Sequence, residues 1–176
     1  NIVEEAYSQS IQVVERCMHA IGAKASALSE GYNQVFARDS MITFLGASLV
    51  DSQVIKDSFR ITLDTLSKYQ SRLGMIPLSV DVDKPGIESS QGAVDSNPWY
   101  VIGHGAYYSR YKDIDFLKRN LASIHKAMLW LEYQDSNNCG LLEVQEAADW
   151  GDLIANRGNI LYDNVLYYKA LIEYAS

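Results

Sequence analysis

A chain of 176 residues, 48% hydrophobic and 21% charged, is long enough for one soluble domain with a buried core. Its net charge of −7, with the basic residues scattered, excludes nucleic acid as a partner, because neutralising phosphates needs clustered Lys and Arg. The sequence holds no apolar run of about eighteen residues that could cross a membrane, and residues 1–5 lack the features of a signal peptide, so a cytoplasmic protein is expected.

Cys17 and Cys139 are far apart and form no Cys-x-x-Cys pair, which reads as two buried or partly buried free thiols rather than a disulfide. Twelve Tyr and three Trp are unusual for this length. They suit an aromatic core, and equally a protein that binds flat, polar-rimmed ligands such as sugars.

Residues 2–21 carry Val3, Val14, Cys17, Met18 and Ile21 at helical spacing among Glu4, Glu5, Glu15 and Arg16, which predicts a helix with one wet face. Residues 22–36 read as a long loop. Asp39-Ser40 offers an N-cap for a nearly continuous apolar helix over 41–50. Asp51-Ser52 makes a short turn and caps the next helix, whose stripe is Ile55, Phe59, Thr62, Leu63, Leu66 and Tyr69. A second long loop, 72–95, contains Pro77, Pro85, Gly86 and Gly92. Asp95-Ser96-Asn97-Pro98 then starts a dry helix over 99–111, with His104 between Gly103 and Gly105. Lys112-Asp113 leads to an amphipathic helix marked by Leu117, Leu121, Ile124, Met128 and Leu131. The third loop is 135–158, and Asn159 can cap a final helix over 160–175 that is apolar on nearly every side.

Three units of wet-faced helix, long loop and dry helix therefore follow one another. Their junctions are evenly spaced, 57 positions from Arg38 to Asp95 and 57 more to Asp152. This predicts an all-α fold of helical hairpins around an axis, dry helices inside and the three loops at one end. Arg38, Asp39, Asp95, Trp99, Asp149, Trp150 and Asp152 would converge there. Six helices make half a closed double ring. Residues 1–176 thus read as a single all-α domain, an incomplete portion of a larger one. The dry helices would be covered by a C-terminal half of the ring or by self-association.

Within the third loop, Glu143, Glu146, Asp149, Asp152, Trp150 and Arg157 crowd into residues 143–159. Such a segment is too acidic for core and too aromatic for an ordinary solvated loop. It reads as the wall of a sugar-binding cleft, with one carboxylate placed to protonate a leaving oxygen.

Three motifs then point to a family. Tyr32-Asn33-Gln34-Val35-Phe36-Ala37-Arg38-Asp39-Ser40 resembles the aromatic-x-Arg-Asp-Ser segment of glucoamylase-like and glycogen-debranching-like (amylo-alpha-1,6-glucosidase-like) glycosidases. Val94-Asp95-Ser96-Asn97-Pro98-Trp99-Tyr100 is similar to their Val-Asp-Ser/Thr-x-x-Trp-Phe segment, and Asp149-Trp150-Gly151-Asp152 to the Thr-Trp-Met-Asp of the debranching group. Asn156-Arg157-Gly158 before an aromatic-rich helix is in keeping with that group. The resemblance implies part of an (α/α)6 toroid, a six-hairpin glycosidase, cleaving a glycosidic bond with inversion. It implies that Arg38 and Asp39 hold sugar hydroxyls, that Asp95 and Trp99 shape the same subsite, that Asp152 is the general acid, and that the base lies in the second half of the toroid. The substrate class would be an α-linked glucoside or related oligosaccharide.

Other readings stay open. Asp149, Glu143 or Glu146 could replace Asp152 as the acid, and Asp152 could be a helix cap or an ion-pair partner of Arg157. Glu146 and Arg157 could contact substrate. Arg38-Asp39 could be only a cap and ion pair, Asp95 an N-cap, and Trp99 and Trp150 packed aromatics. His104 reads as a satisfied core histidine, and His19 and His125 as structural residues on wet-faced helices. No cofactor is expected, and no set of His, Cys and carboxylates has metal-ligand spacing. There is no phosphate loop or Ser nucleophile elbow either. A non-catalytic carbohydrate-binding or structural fragment lacking the base is the rival to a glycosidase.

Overall fold

The computed structural model describes residues 1–28, 31–85 and 94–176; Gly86 and Gly92 of the second expected loop lie outside them. The described chain is all-α, as its periodicity dictates. Its helices are α1 (Ile2–Arg16), α2 (Ala37–Ala47), α3 (Gln53–Lys68), α4 (Ser96–Tyr111), α5 (Ile114–Glu132) and α6 (Leu161–Ala175). Stretches expected to be helix or loop also hold four short strands, β1 (Met18–His19), β2 (Gly22–Ala23), β3 (Gln34–Phe36) and β4 (Ser79–Asp81).

The amphipathic helices form where their caps and stripes put them. Ser52 accepts from the Ile55 amide (3.4 Å) and Asp113 from the Phe116 amide (3.0 Å), each satisfying an orphan donor at a helix start. In α3, Ile55, Phe59, Leu63 and Leu66 are buried, as their spacing predicts. In α5 the inward face is Phe116, Asn120, Ile124, Ala127, Met128 and Leu131, whereas Leu121 is exposed. The stripe drawn through Leu117 and Leu121 is thus displaced. Phe116 takes the inward place because it packs on Tyr107, 4.9 Å between ring centres, and on His104.

The dry helices α2, α4 and α6 lie in a row with α4 in the middle, and α3 and α5 pack behind it. The two glycines around His104 explain how close that row is. A Cβ on Gly103 would meet Met41 of α2 at 2.1 Å, and one on Gly105 would meet Glu173 of α6 at 2.1 Å. One bare residue on each side lets both neighbours approach the α4 backbone. α4 is therefore buried along most of its length, while α2 and α6 each keep exposed apolar residues, Ile42 and Leu45 on one, Leu161, Val165 and Leu171 on the other.

Three expectations need correction. The first helix ends at Arg16, not at Ile21, and none of its residues is buried. Gly22, at φ +128°, turns the chain into the β1–β2 hairpin, whose backbone is tied to α3 by Thr62 and Thr65. His19 accordingly sits on a strand, not a helix. His104 is a core residue, packed between Tyr100 and Phe116, but it is not satisfied: neither ring nitrogen has a partner, and burial lowers its pKa to about 3. Both cysteines are free, yet Cys139 is exposed rather than buried.

Loop two is anchored by a buried amide. Asn97 accepts from the Ile76 amide (2.8 Å) and donates to the carbonyls of Gly74 and Ala127 (3.0 Å each), joining that loop to α4 and α5. Asn97→Ala removes all three bonds and strands buried backbone groups. We expect a loss of about 2–4 kcal/mol, read as a lower urea midpoint with an unchanged slope.

Candidate functional site

The long loops meet at one end of the helix row, and backbone pairing holds them there. β3 and β4, from loops one and two, pair antiparallel in the register Gln34↔Asp81, Val35↔Val80, Phe36↔Ser79. The Val94 amide, leading into α4, donates to Ala148 in loop three (3.1 Å), and loop three closes on itself at Val144↔Gly158. The starts of α2, α4 and α6 are thereby gathered.

β3 runs straight into α2, so Phe36 occupies the N-cap position and the cap expected from Asp39-Ser40 does not form. Ser40 is buried and its hydroxyl donates to the Ala23 carbonyl. Arg38 and Asp39 fall in the first turn instead, Arg38 pointing across to α4 and Asp39 half-exposed beside it at 4.0 Å. Asp95 holds the N-cap position of α4 but caps nothing with its side chain. Its Oδ2 accepts from Arg38 Nη1 at 2.6 Å and from the Tyr162 hydroxyl at 3.0 Å. Trp99 Nε1 donates to the same hydroxyl at 3.0 Å, and Trp150 meets the Tyr162 ring edge-on at 6.2 Å. Arg38, Asp95, Tyr162 and Trp99 therefore form one hydrogen-bonded chain across three helices.

Around it lie buried acids. Asp95 and Asp163 are 0% exposed and Asp149 2%. Burial pushes the Asp95 carboxyl up, against Arg38 and Tyr162, which hold it down; nearby Asp149 adds to the rise. For Arg38, burial works against the charge, but Asp95 outweighs it and the guanidinium pKa rises. Asp163, in the first turn of α6, is pushed up to about 8 by burial, then by Asp149 and Asp95. Tyr162 is raised chiefly by burial. Asp149 Oδ1 accepts from the Gly151 amide at 2.7 Å, which shapes the turn toward Asp152.

Arg38, Asp39, Asp95, Trp99, Asp149 and Trp150 are thus brought to one end of the row, with Trp150 half-exposed. Asp152 is different. It is exposed and lies ahead of α6, which starts at Leu161, so the second interval of 57 does not end at a helix start. It neither caps a helix nor pairs with Arg157, and Glu146 and Arg157 are also exposed. Glu143 is bonded within its own loop by Ser136 and by Asn137. Asn159 does not cap α6; its amide donates to Leu142.

Tyr162 and Asp163 escaped sequence reasoning. A polar pair in the first turn of an otherwise dry helix was the available signal. Among the described residues no group of three or more His, Cys, Asp or Glu is arranged to hold a metal ion, and no helix is long and apolar enough to cross a membrane. Chemically, the arrangement is a rigid, dehydrated polar base carrying an exposed loop of carboxylates and aromatic surface.

The profile of a family described as amylo-alpha-1,6-glucosidase matches residues 8–156. No curated protein matches the chain.

Proposed function

From the premise that the chain belongs to the amylo-alpha-1,6-glucosidase family, we propose that it forms part of the catalytic domain of an inverting glycoside hydrolase acting on α-linked glucosides. The observation that carries this reading is the hydrogen-bonded chain Arg38–Asp95–Tyr162–Trp99, which unites the starts of three helices under one exposed acidic, aromatic loop.

In this reading Asp152 donates its proton to the glycosidic oxygen as the bond to the anomeric carbon breaks. Water attacks that carbon from the opposite face and loses a proton to a second carboxylate about 6.5–9.5 Å away. Asp95, Asp149 and Asp163 are sealed from solvent, so they support the loop and leave both proton transfers to groups that can touch substrate and water. Asp152 is accessible. Exposed Arg157 and Glu146, with half-exposed Asp39, supply hydrogen bonds to sugar hydroxyls, and Trp150 supplies an aromatic face. Trp99 acts chiefly by fixing the floor, since its indole N–H is committed to Tyr162, and Arg38 does so through its Nη1 bond to Asp95. The base would come from a second half of an (α/α)6 toroid, packed on the apolar faces that α2 and α6 present.

The experiment pairs calorimetry of the chain with maltose or isomaltose and an aryl-glucoside hydrolysis assay. Hydrolysis together with binding is the expected result for a protein that holds the base. Binding without hydrolysis supports a carbohydrate-binding role for this chain, and the absence of both overturns the assignment of the loop to a sugar.

A further inference from the structure

Among the described residues no cation answers the burial of Asp163. Both its carboxyl oxygens lack a partner, as does Asp149 Oδ2, yet the two carboxyls lie within hydrogen-bonding reach of each other. The charged groups facing Asp163 are Asp149 from loop three and Asp95 from α4. Beyond Asp95 stands Arg38 of α2, whose guanidinium is already committed to Asp95 at 2.6 Å and lies 4.0 Å from Asp39. Two ionised carboxylates this close, out of water, would repel and leave their oxygens bare. One proton between them removes a charge and supplies a donor.

We propose that Asp163 is kept as a carboxylic acid whose hydrogen bond to Asp149 clamps the turn at 149–152 onto the start of α6, making it a positioning residue for Asp152. The geometry of the turn supports this. Asp149 Oδ1 is fixed by the Gly151 amide, and Trp150 rests on Tyr162, the residue next to Asp163. Adjacent residues of α6 therefore grip adjacent residues of the turn. The clamp is closed while Asp163 is protonated. It opens as pH rises through the midpoint of that carboxyl, about 8, because the ionised pair repels. The role in catalysis rests on the proposed assignment of Asp152; the clamp itself does not.

The test uses aspartate-labelled carbon NMR from pH 5 to 9.5, with limited trypsin cleavage after exposed Arg157 at pH 7 and 9, on the chain and on Asp163→Asn. Asn keeps the shape and a donor but cannot ionise. One carboxyl carbon should titrate near pH 8 and vanish from Asp163→Asn. The ionised fraction rises about tenfold between one unit below and one above a midpoint, so cleavage should accelerate by about that factor over Asp163→Asn. If every aspartate carboxyl titrates below about pH 6, or if cleavage accelerates equally in both proteins, the proposal is overturned. Should Asp163→Asn fail to fold, the wild-type titration alone decides. Calorimetry with maltose or isomaltose run alongside separates the ideas: no sugar binding with a titrating carboxyl removes the assignment of the loop to a sugar and leaves the clamp.

Discussion

Replacing Arg38 by methionine is expected to destabilise the fold by about 3–5 kcal/mol, because it leaves a buried carboxylate without its counter-charge. Asp95 is fully buried and bonded to Arg38 at 2.6 Å, with the carboxyls of Asp149 and Asp163 nearby. Methionine fills much of the same volume, so the loss is electrostatic rather than a cavity. The pH dependence follows from the sign. With Arg38 gone, the folded-state pKa of Asp95 rises further above its unfolded value, so the variant keeps its stability in acid and loses it as pH rises through the new folded pKa. Urea midpoints should therefore differ more between variant and parent at pH 8 than at pH 5. Adding Asp95→Asn to Arg38→Met should restore part of the loss, since a neutral amide no longer needs the guanidinium, and a double-mutant cycle gives the coupling. Equal destabilisation at both pH values, with no rescue, would mean the pair is not ionised.

In a protein that carries the second half of the toroid with its base, Asp152→Asn is expected to lower turnover of an α-linked disaccharide by about 10²–10⁴-fold while leaving binding by calorimetry within a factor of a few. The effect should shrink on an aryl glucoside, whose phenolate leaves without full protonation. That contrast separates loss of an acid from collapse of the site. Asp149→Asn should behave otherwise, lowering stability and all activities together, because Asp149 is buried and organises the turn through the Gly151 amide. Undiminished hydrolysis of the disaccharide by Asp152→Asn would remove this residue from the acid role.

Much of the architecture was legible because it rests on local rules. The stripe of α3, the cap at Ser52, the turn at Lys112-Asp113 and the dryness of α4 are written in residue spacing and polar punctuation. The equal interval between Arg38 and Asp95 was also informative, since these two residues bind each other. What could not be read was non-local. The β3–β4 ribbon joins two loops that look structureless separately, and its pairing displaces the expected Asp39-Ser40 cap by running a strand into the helix. The face of α5 shifted because Phe116 had aromatic partners on α4 that spacing alone does not reveal. In the third junction, equal intervals suggested Asp152 as the counterpart of Arg38 and Asp95, whereas the positions that meet them belong to Tyr162 and Asp163. A repeat in sequence fixes where a hairpin falls. It does not say which side chain in the turn faces the axis.

The junction also bears on the order in which the molecule assembles. The links of its hydrogen-bonded chain span long loops: 57 residues separate Arg38 from Asp95, and 67 separate Asp95 from Tyr162. Helices and neighbouring hairpins can form early, since their contacts are close in sequence, whereas closing such large loops carries entropy that only later contacts offset. The acids at the junction are therefore expected to stay hydrated until the third hairpin docks. Dehydration of the carboxylates is thus expected late in folding, and a variant that blocks it should keep its helices but lose the floor beneath the acidic loop.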